Sequence, residues 1–195
     1  MTATANARPA LRSALRVRRG SLDPESRAGA DAAAQAHLLE FDRVRTARIV
    51  GLYRAFDGEV ATDQIARVLG EAGALVVYAR VRERDAPLAF VHPDRWTRGA
   101  AGQPEPEGDE VPLAAVELLV VPGLGFDDRG HRLGFGAGFY DRTLAACSAW
   151  PVGLAYECQR LPRLEVAAWD QPVAALATER QLYTFDRETE TAWST

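Results

Sequence analysis

The chain's densest chemistry lies between Val121 and Leu144, where glycines at 123, 125, 130, 134, 136 and 138 surround Arg132 and precede Asp141. Glycine accepts positive φ and lets backbone approach a ligand, and amide N–H groups at the start of a helix form a concave anion site with the helix dipole behind it. A phosphate group fits such a site. Arg132 adds a planar cation that can grip two phosphate oxygens, and Asp141 adds a carboxylate able to hold a Mg²⁺ that bridges them. The run is neither G-x-x-x-x-G-K-[ST] nor a dinucleotide fingerprint, and Gly-x-Gly-x-Gly also occurs in flexible turns. Taken alone, it leaves a phosphate cradle and a structural turn both open.

Further candidates are Arg8, Arg12, Arg16, Arg18 and Arg19, which fall within the first twenty residues with no acid among them. They can face an anion or form a solvated helix face. His131 sits between Gly130 and Arg132 and reads as a turn residue; His37 and His92 are far from this segment in sequence. Cys147 and Cys158 lack metal-ligand spacing and read as small buried hydrophobes in a reducing compartment.

The elements that must position these groups follow from periodicity. Leu11 and Leu15 at helical spacing predict a short basic helix from Pro9 to about Arg19, and Pro24 opens a second helix expected to reach about Asp42. Ala47–Tyr53 and Ala74–Val81 read as strands around a helix that Thr62 can cap and that ends near Ala72. A short strand is expected around Pro87–Val91, then an irregular surface connection over Trp96–Pro112, of which 99–112 is placed to act as a lid. Val116–Pro122 is the most strand-like segment, a helix is expected near Phe139–Ala146, and apolar runs follow at Val152–Tyr156, Val173–Ala177 and Leu182–Phe185. Alternation of strands and helices predicts an α/β fold: a three-layer, open, mostly parallel, Rossmann-like sheet with helices on both faces. Such sheets bind ligands beyond the carboxyl ends of their strands.

Composition bounds the rest. With 195 residues, 47% hydrophobic and 26% charged, the chain is expected to be one domain, 1–195, with the basic helices of about 9–42 packed on it. Its net charge of −4 disfavours nucleic acid as a partner. There is no lysine, so every basic side chain is Arg. No run approaches the roughly 20 apolar residues of a membrane span, and no apolar core follows the basic start to make a secretory signal, so a cytoplasmic protein is expected.

The whole string changes the odds on the loop. Val121-Pro-Gly-Leu-Gly-Phe-Asp127 followed by Gly130-His-Arg-Leu-Gly-Phe-Gly-Ala-Gly-Phe-Tyr-Asp-Arg-Thr-Leu144 closely resembles the signature of the 5-formyltetrahydrofolate cyclo-ligase (methenyltetrahydrofolate synthetase) family. Phe56-Asp-Gly-Glu-Val-Ala-Thr62, Glu157-Cys-Gln-Arg-Leu-Pro162, Trp169-Asp-Gln-Pro-Val173 and Ala177-Thr-Glu179 resemble further family segments in the family's order. Arg8-Pro-Ala-Leu-Arg12 with Arg18 resembles its basic helix in spacing.

That resemblance implies a carbon–nitrogen ligase of folate one-carbon metabolism. ATP would phosphorylate the formyl oxygen of 5-formyltetrahydrofolate, N10 would attack, and loss of phosphate would give 5,10-methenyltetrahydrofolate and ADP, with Mg²⁺ as cofactor. It further implies ATP contacts from Arg8, Pro9, Ala10, Leu11 and Arg12 and from Arg132, Leu133, Gly134, Phe135, Gly136, Ala137, Gly138, Phe139 and Tyr140, with Arg8 and Arg132 catalytic. Folate contacts would come from Phe56, Phe135, Gly136, Ala137, Gly138 and Phe139, and Mg²⁺ ligands from Asp141 and Asp170. Without the family, Phe56 reads as a core aromatic and Asp170 as a turn residue before Pro172. A monomer acting on small molecules is expected.

Departures from the family pattern qualify these implications. Arg8 stands where many members carry Lys, and Ala61 where an acid is common in the folate pocket. Both keep open an alternative, a weak or silent folate- or nucleotide-binding relative with a regulatory role. Ala79 for the usual Pro and Glu117 for an Asp read as structural. A sugar-phosphate isomerase or acyl-transfer enzyme would rest on fold analogy alone and lacks an evident base at the loop.

Overall fold

The computed structural model describes residues 7–99 and 102–185. Residues 1–6, 100–101 and 186–195, which the expected single domain and the expected 99–112 connection include in part, lie outside the described residues. The first half holds α1 (Ala7–Gly20), α2 (Pro24–Leu39), α3 (Asp42–Thr46), β1 (Ile49–Leu52), α4 (Asp63–Glu71), β2 (Leu75–Arg80), β3 (Ala89–Arg98) and β4 (Pro104–Val111). The second holds β5 (Leu118–Val121), β6 (Gly125–Asp127), β7 (Arg132–Leu133), α5 (Phe139–Ala145), β8 (Trp150–Leu154), β9 (Arg160–Leu161), β10 (Ala175–Ala177) and β11 (Leu182–Thr184).

Eight strands form one sheet in the order β11, β10, β8, β5, β1, β2, β3, β4. β10, β8, β5, β1 and β2 run parallel, while β11 pairs antiparallel with β10 at one edge and β3 and β4 add antiparallel strands at the other. The mostly parallel α/β sheet is therefore present, with mixed edges. All four residues of β5 are buried, as a central parallel strand requires. Their alternation splits the core. Leu118 and Val120 join Leu38 of α2, Val44 of α3 and Ile65 and Leu69 of α4, whereas Leu119 and Val121 join Phe126 and Leu144 of α5. Each such aliphatic side chain contributes about 1.5–3 kcal/mol by leaving water.

Three expectations change. The second helix stops at Leu39, because Phe41 leaves the helix to stack on Trp150 with ring centroids 5.2 Å apart, and α3 starts afresh. Thr62 does not cap α4: its hydroxyl donates to the Tyr53 carbonyl at 2.8 Å. The free amides of that helix start go to Gln35 of α2, whose Oε1 accepts from Gln64 N at 2.9 Å and Ile65 N at 3.3 Å. The 99–112 connection is largely strand: β3 and β4 form a long hairpin with a bulge between Pro93 and Arg95. β4 is an edge strand, the place in a sheet where Pro104 and Pro106 lose no ladder bond that matters.

A second, three-stranded sheet, ordered β7, β6, β9, was not legible beforehand. It carries the signature segment. Leu15 of α1 is buried with Leu124, Leu133 and Leu164, and Leu11 and Leu161 pack around them. That small core anchors α1 beside the glycine-rich loop. Among the described residues, no helix is long and apolar enough to cross a membrane.

Candidate functional site

The chain turns that follow β1, β5 and β8 gather at the carboxyl ends of the parallel strands, where open α/β sheets place ligands. The glycine-rich loop hangs between β7 and α5, with residues 135–137 exposed. Its two turns need glycine: Gly136 has φ 106 and Gly138, the residue before α5, has φ 71. Arg142 of α5 braces the loop from behind, donating to Ala137 O at 2.9 Å and Arg84 O at 2.8 Å.

The arginines of α1 reach this loop from the front. Arg8, Arg12, Arg16 and Arg19 are spaced by four, four and three, which places them along one helix face. Arg12 Nε donates to Gly134 O at 2.9 Å. Arg8 forms an ion pair with Asp170 and donates to Glu165 O at 2.9 Å. Arg16 and Arg19 lie over the Phe135 ring, at 5.0 Å and 5.8 Å from its centroid. The solvated-face reading thus fails for Arg8, Arg12 and Arg19, while Arg16 is exposed but paired with Asp57 and Phe135, and Arg18 is exposed. Between the two cations, Leu11 faces the small core and Pro9 and Ala10 are exposed.

Arg132 occupies a different environment from the one its sequence position implies. It is 7% exposed, with Nη2 on Asp141 Oδ1 at 2.9 Å and Nη1 on the Gln171 carbonyl. Burial lowers its pKa, against the pull of Asp141, Tyr140 and Asp170. It braces Asp141 and the Gln171 carbonyl. Asp141 Oδ1 also accepts Gln171 N at 3.2 Å, and Asp170 Oδ2 accepts Ala167 N at 2.8 Å. Leu133 commits its side chain to the small core, so only its backbone faces the loop. Phe139 and Tyr140 open α5 and are half-buried.

The two aspartates suit a Mg²⁺ held jointly with phosphate. Each has one oxygen engaged, while Asp141 Oδ2 and Asp170 Oδ1 accept no hydrogen bond from a described residue. Among the described residues no group of three or more His, Cys, Asp or Glu could hold a metal by itself. Mg²⁺ takes one or two carboxylates plus substrate phosphates and water rather than a protein cage.

The opposite wall is the turn after β1. Phe56 is 41% exposed and Phe135 44%, so neither is a core aromatic. Asp57, in the left-handed region at φ 54, and Gly58, at φ 77, fold the turn back so that Phe56 N donates to Glu59 Oε2 at 3.1 Å. Burial pushes the Glu59 carboxyl up to about 7, with Arg19 pulling the other way. Glu59 and Asp57 had no assigned role in the sequence, and Arg16 and Arg19 had only the general one of cations able to face an anion; the arginine spacing was the available signal. Ala61 removes the expected acid, but its N–H donates at 3.1 Å to Asp31 of α2, so a carboxylate still stands there.

The remaining departures and outliers are structural. Glu117 binds Arg48 through N at 2.8 Å and Nε at 3.2 Å. His131 N closes its turn on Asp127 Oδ1 at 2.9 Å. A cavity of about 600 Å³ lies at the amino ends of the strands, lined by Arg43, Glu117 and Trp150 among others; it holds none of the converging cations.

Comparison with known proteins agrees with the arrangement. The model of the 5-formyltetrahydrofolate cyclo-ligase family matches residues 4–179. The 5-formyltetrahydrofolate cyclo-ligase of Escherichia coli strain K12 is 32% identical over 179 residues, covering 87% of this chain and 98% of that protein. The enzyme of the same name from Haemophilus influenzae is 30% identical, covering 85% and 94%. The solved structure of Aquifex aeolicus 5,10-methenyltetrahydrofolate synthetase superposes with a TM-score of 0.82 at 29% identity, covering 96% of each chain. With these matches along nearly the whole chain, and the signature loop, the α1 arginines and the paired aspartates brought together in space, this protein belongs to the 5-formyltetrahydrofolate cyclo-ligase family.

Proposed function

We propose that the chain catalyses the ATP- and Mg²⁺-dependent cyclisation of 5-formyltetrahydrofolate to 5,10-methenyltetrahydrofolate, with release of ADP and phosphate. The observation that carries this reading is that one face of α1 sets Arg12 on the Gly134 carbonyl of the glycine-rich loop and Arg8 on Asp170, beside Asp141. Phosphoryl transfer asks a protein mainly for positioning and for charge placed where charge develops, and this cluster is suited to both. Loop amides and the guanidinium groups of Arg8 and Arg12 would hold the triphosphate. Arg132 would keep Asp141 in register, acting through it rather than on phosphate directly. Asp141 and Asp170 would hold Mg²⁺, which would supply charge neutralisation at the phosphates. The exposed rings of Phe56 and Phe135 would flank the folate and turn its formyl oxygen toward the loop, excluding water from the transferred group.

On this reading the sheet serves as a three-layer, Rossmann-like scaffold, and the chain works as one domain and as a monomer in the cytoplasm. The free Cys147 and Cys158 suit a reducing compartment, and the negative net charge suits small-molecule partners over nucleic acid. Stoichiometry tests the reaction: one ADP and one phosphate should appear per methenyl product, and product formation without ADP would contradict it.

A further inference from the structure

We infer that Arg19 is a positioning residue of the folate wall: it pins the Phe56–Glu59 turn against the Phe135 face of the glycine-rich loop and supplies the buried cation that faces Glu59. The inference rests on the proposed reading that Phe56 and Phe135 line the folate site. Arg19 is 1% exposed, an unusual burial for a charge near the end of a surface helix. A buried guanidinium persists only when its surroundings compensate it. Nη2 donates to Asp57 O at 2.6 Å and lies 3.3 Å from Asp57 Oδ2, while the guanidinium sits over Phe135. Thus one side chain touches both walls. Arg16 doubles the link, with Nε 3.0 Å from Asp57 Oδ2 and its cation over the same ring. Arg27 closes the far side by donating to Arg19 O at 3.1 Å.

The remaining nitrogen is the informative one. Arg19 Nη1 is buried without a hydrogen-bond partner, and buried polar atoms left unpaired are rare enough to demand a reason. Glu59 Oε1 likewise accepts no hydrogen bond from a described residue, Oε2 being taken by Phe56 N. The charged and titratable groups facing Glu59 are Arg19 of α1, Asp57 of its own turn, Tyr53 after β1 and Tyr140 of α5. Arg19 is the one cation among them. Its charge favours the ionised carboxylate, whereas Asp57 opposes it.

The test compares kcat, KM for each substrate, and the pH profile of kcat/KM for the wild type with Arg19→Met, Arg19→Lys, Asp57→Gly and Glu59→Gln. Arg19→Met should raise the folate KM about tenfold through loss of wall alignment, with the ATP KM within about twofold. Its near-neutral limb should move up by about one pH unit, because removing a cation disfavours the carboxylate. Arg19→Lys should return the limb toward the wild-type position. Asp57→Gly, at a φ that glycine adopts freely, should fold normally and move the limb down, the opposite direction. Glu59→Gln should lack the limb. Equal losses for both substrates with an unmoved limb, or a limb that survives Glu59→Gln, would overturn the inference. Folate affinity measured by calorimetry across the same pH range reads the shift without turnover. A wild type that binds folate but forms no product therefore counts against the proposed reaction and not against Arg19.

Discussion

Arg12 donates to the Gly134 carbonyl at 2.9 Å, tying the first helix of the chain to a loop 122 residues later. That bond aligns α1 with the glycine-rich loop, and Leu15, buried in the small core below, keeps the helix in register. Arg12→Ala should therefore raise the ATP KM and lower kcat/KM for ATP by about 10²-fold, the scale of losses from misplaced reactants. The folate KM should change less, since Phe56 and Phe135 are untouched. Steady-state kinetics with each substrate varied in turn check this.

Asp141 bears on both stability and activity. Arg132 is buried and depends on it, so Asp141→Ala leaves a buried charge unpaired and should cost about 3 kcal/mol, read as a lowered thermal midpoint. Asp170→Ala releases Arg8, which is more exposed, and should cost about 1 kcal/mol or less. Both should raise the Mg²⁺ concentration needed for half-maximal turnover. If Asp141→Ala kept full ATP-dependent turnover, the metal assignment would be wrong.

Glu59 sets a pH dependence of stability with a definite sign. Its carboxyl is raised from 4.5 to about 7 in the fold, so the neutral form is the better tolerated one. The stability tied to it is fully present below pH 4.5 and is lost as pH rises through about 7. Glu59→Gln should flatten the midpoint-versus-pH curve over that window. Denaturant unfolding at several pH values measures it.

Asp127 works in the opposite direction. Burial alone would raise its carboxyl, but Leu164 N–H, the Arg129 guanidinium and N–H, and His131 N–H together hold it below the usual range. Its contribution is present above its unfolded value of 3.8 and is lost as pH falls through the folded one. Asp127→Asn should destabilise by about 1–3 kcal/mol, because buried donors lose their charged acceptor. It should also loosen the Gly130–Arg132 turn, which a lowered kcat at optimal pH would report.

The legible part of this molecule was what repeats or matches a fixed string. The central parallel strands were readable because β5 and its neighbours are short, wholly apolar runs, and the glycine-rich loop because its string is long and specific. The β3–β4 hairpin was not, since Pro104, Pro106 and Gly108 look like loop chemistry and become strand only at an exposed edge. Thr62 looked like a helix cap because nothing local shows that Gln35, on another helix, takes that role. Arg132 read as a free phosphate ligand, yet its partners come from Asp141 and Gln171, the latter 39 residues away. The roles of Arg19 and Glu59 depend on burial, which composition does not report.

The most direct check is absorbance in the methenyl-folate band after mixing purified protein with 5-formyltetrahydrofolate, Mg²⁺ and ATP, with Arg12→Ala alongside. The account predicts a rise that needs both ATP and Mg²⁺ and that slows sharply in Arg12→Ala as ATP becomes limiting. Absence of any rise in the wild type, with folate and ATP still bound by calorimetry, would contradict it and identify the chain as a silent binding relative.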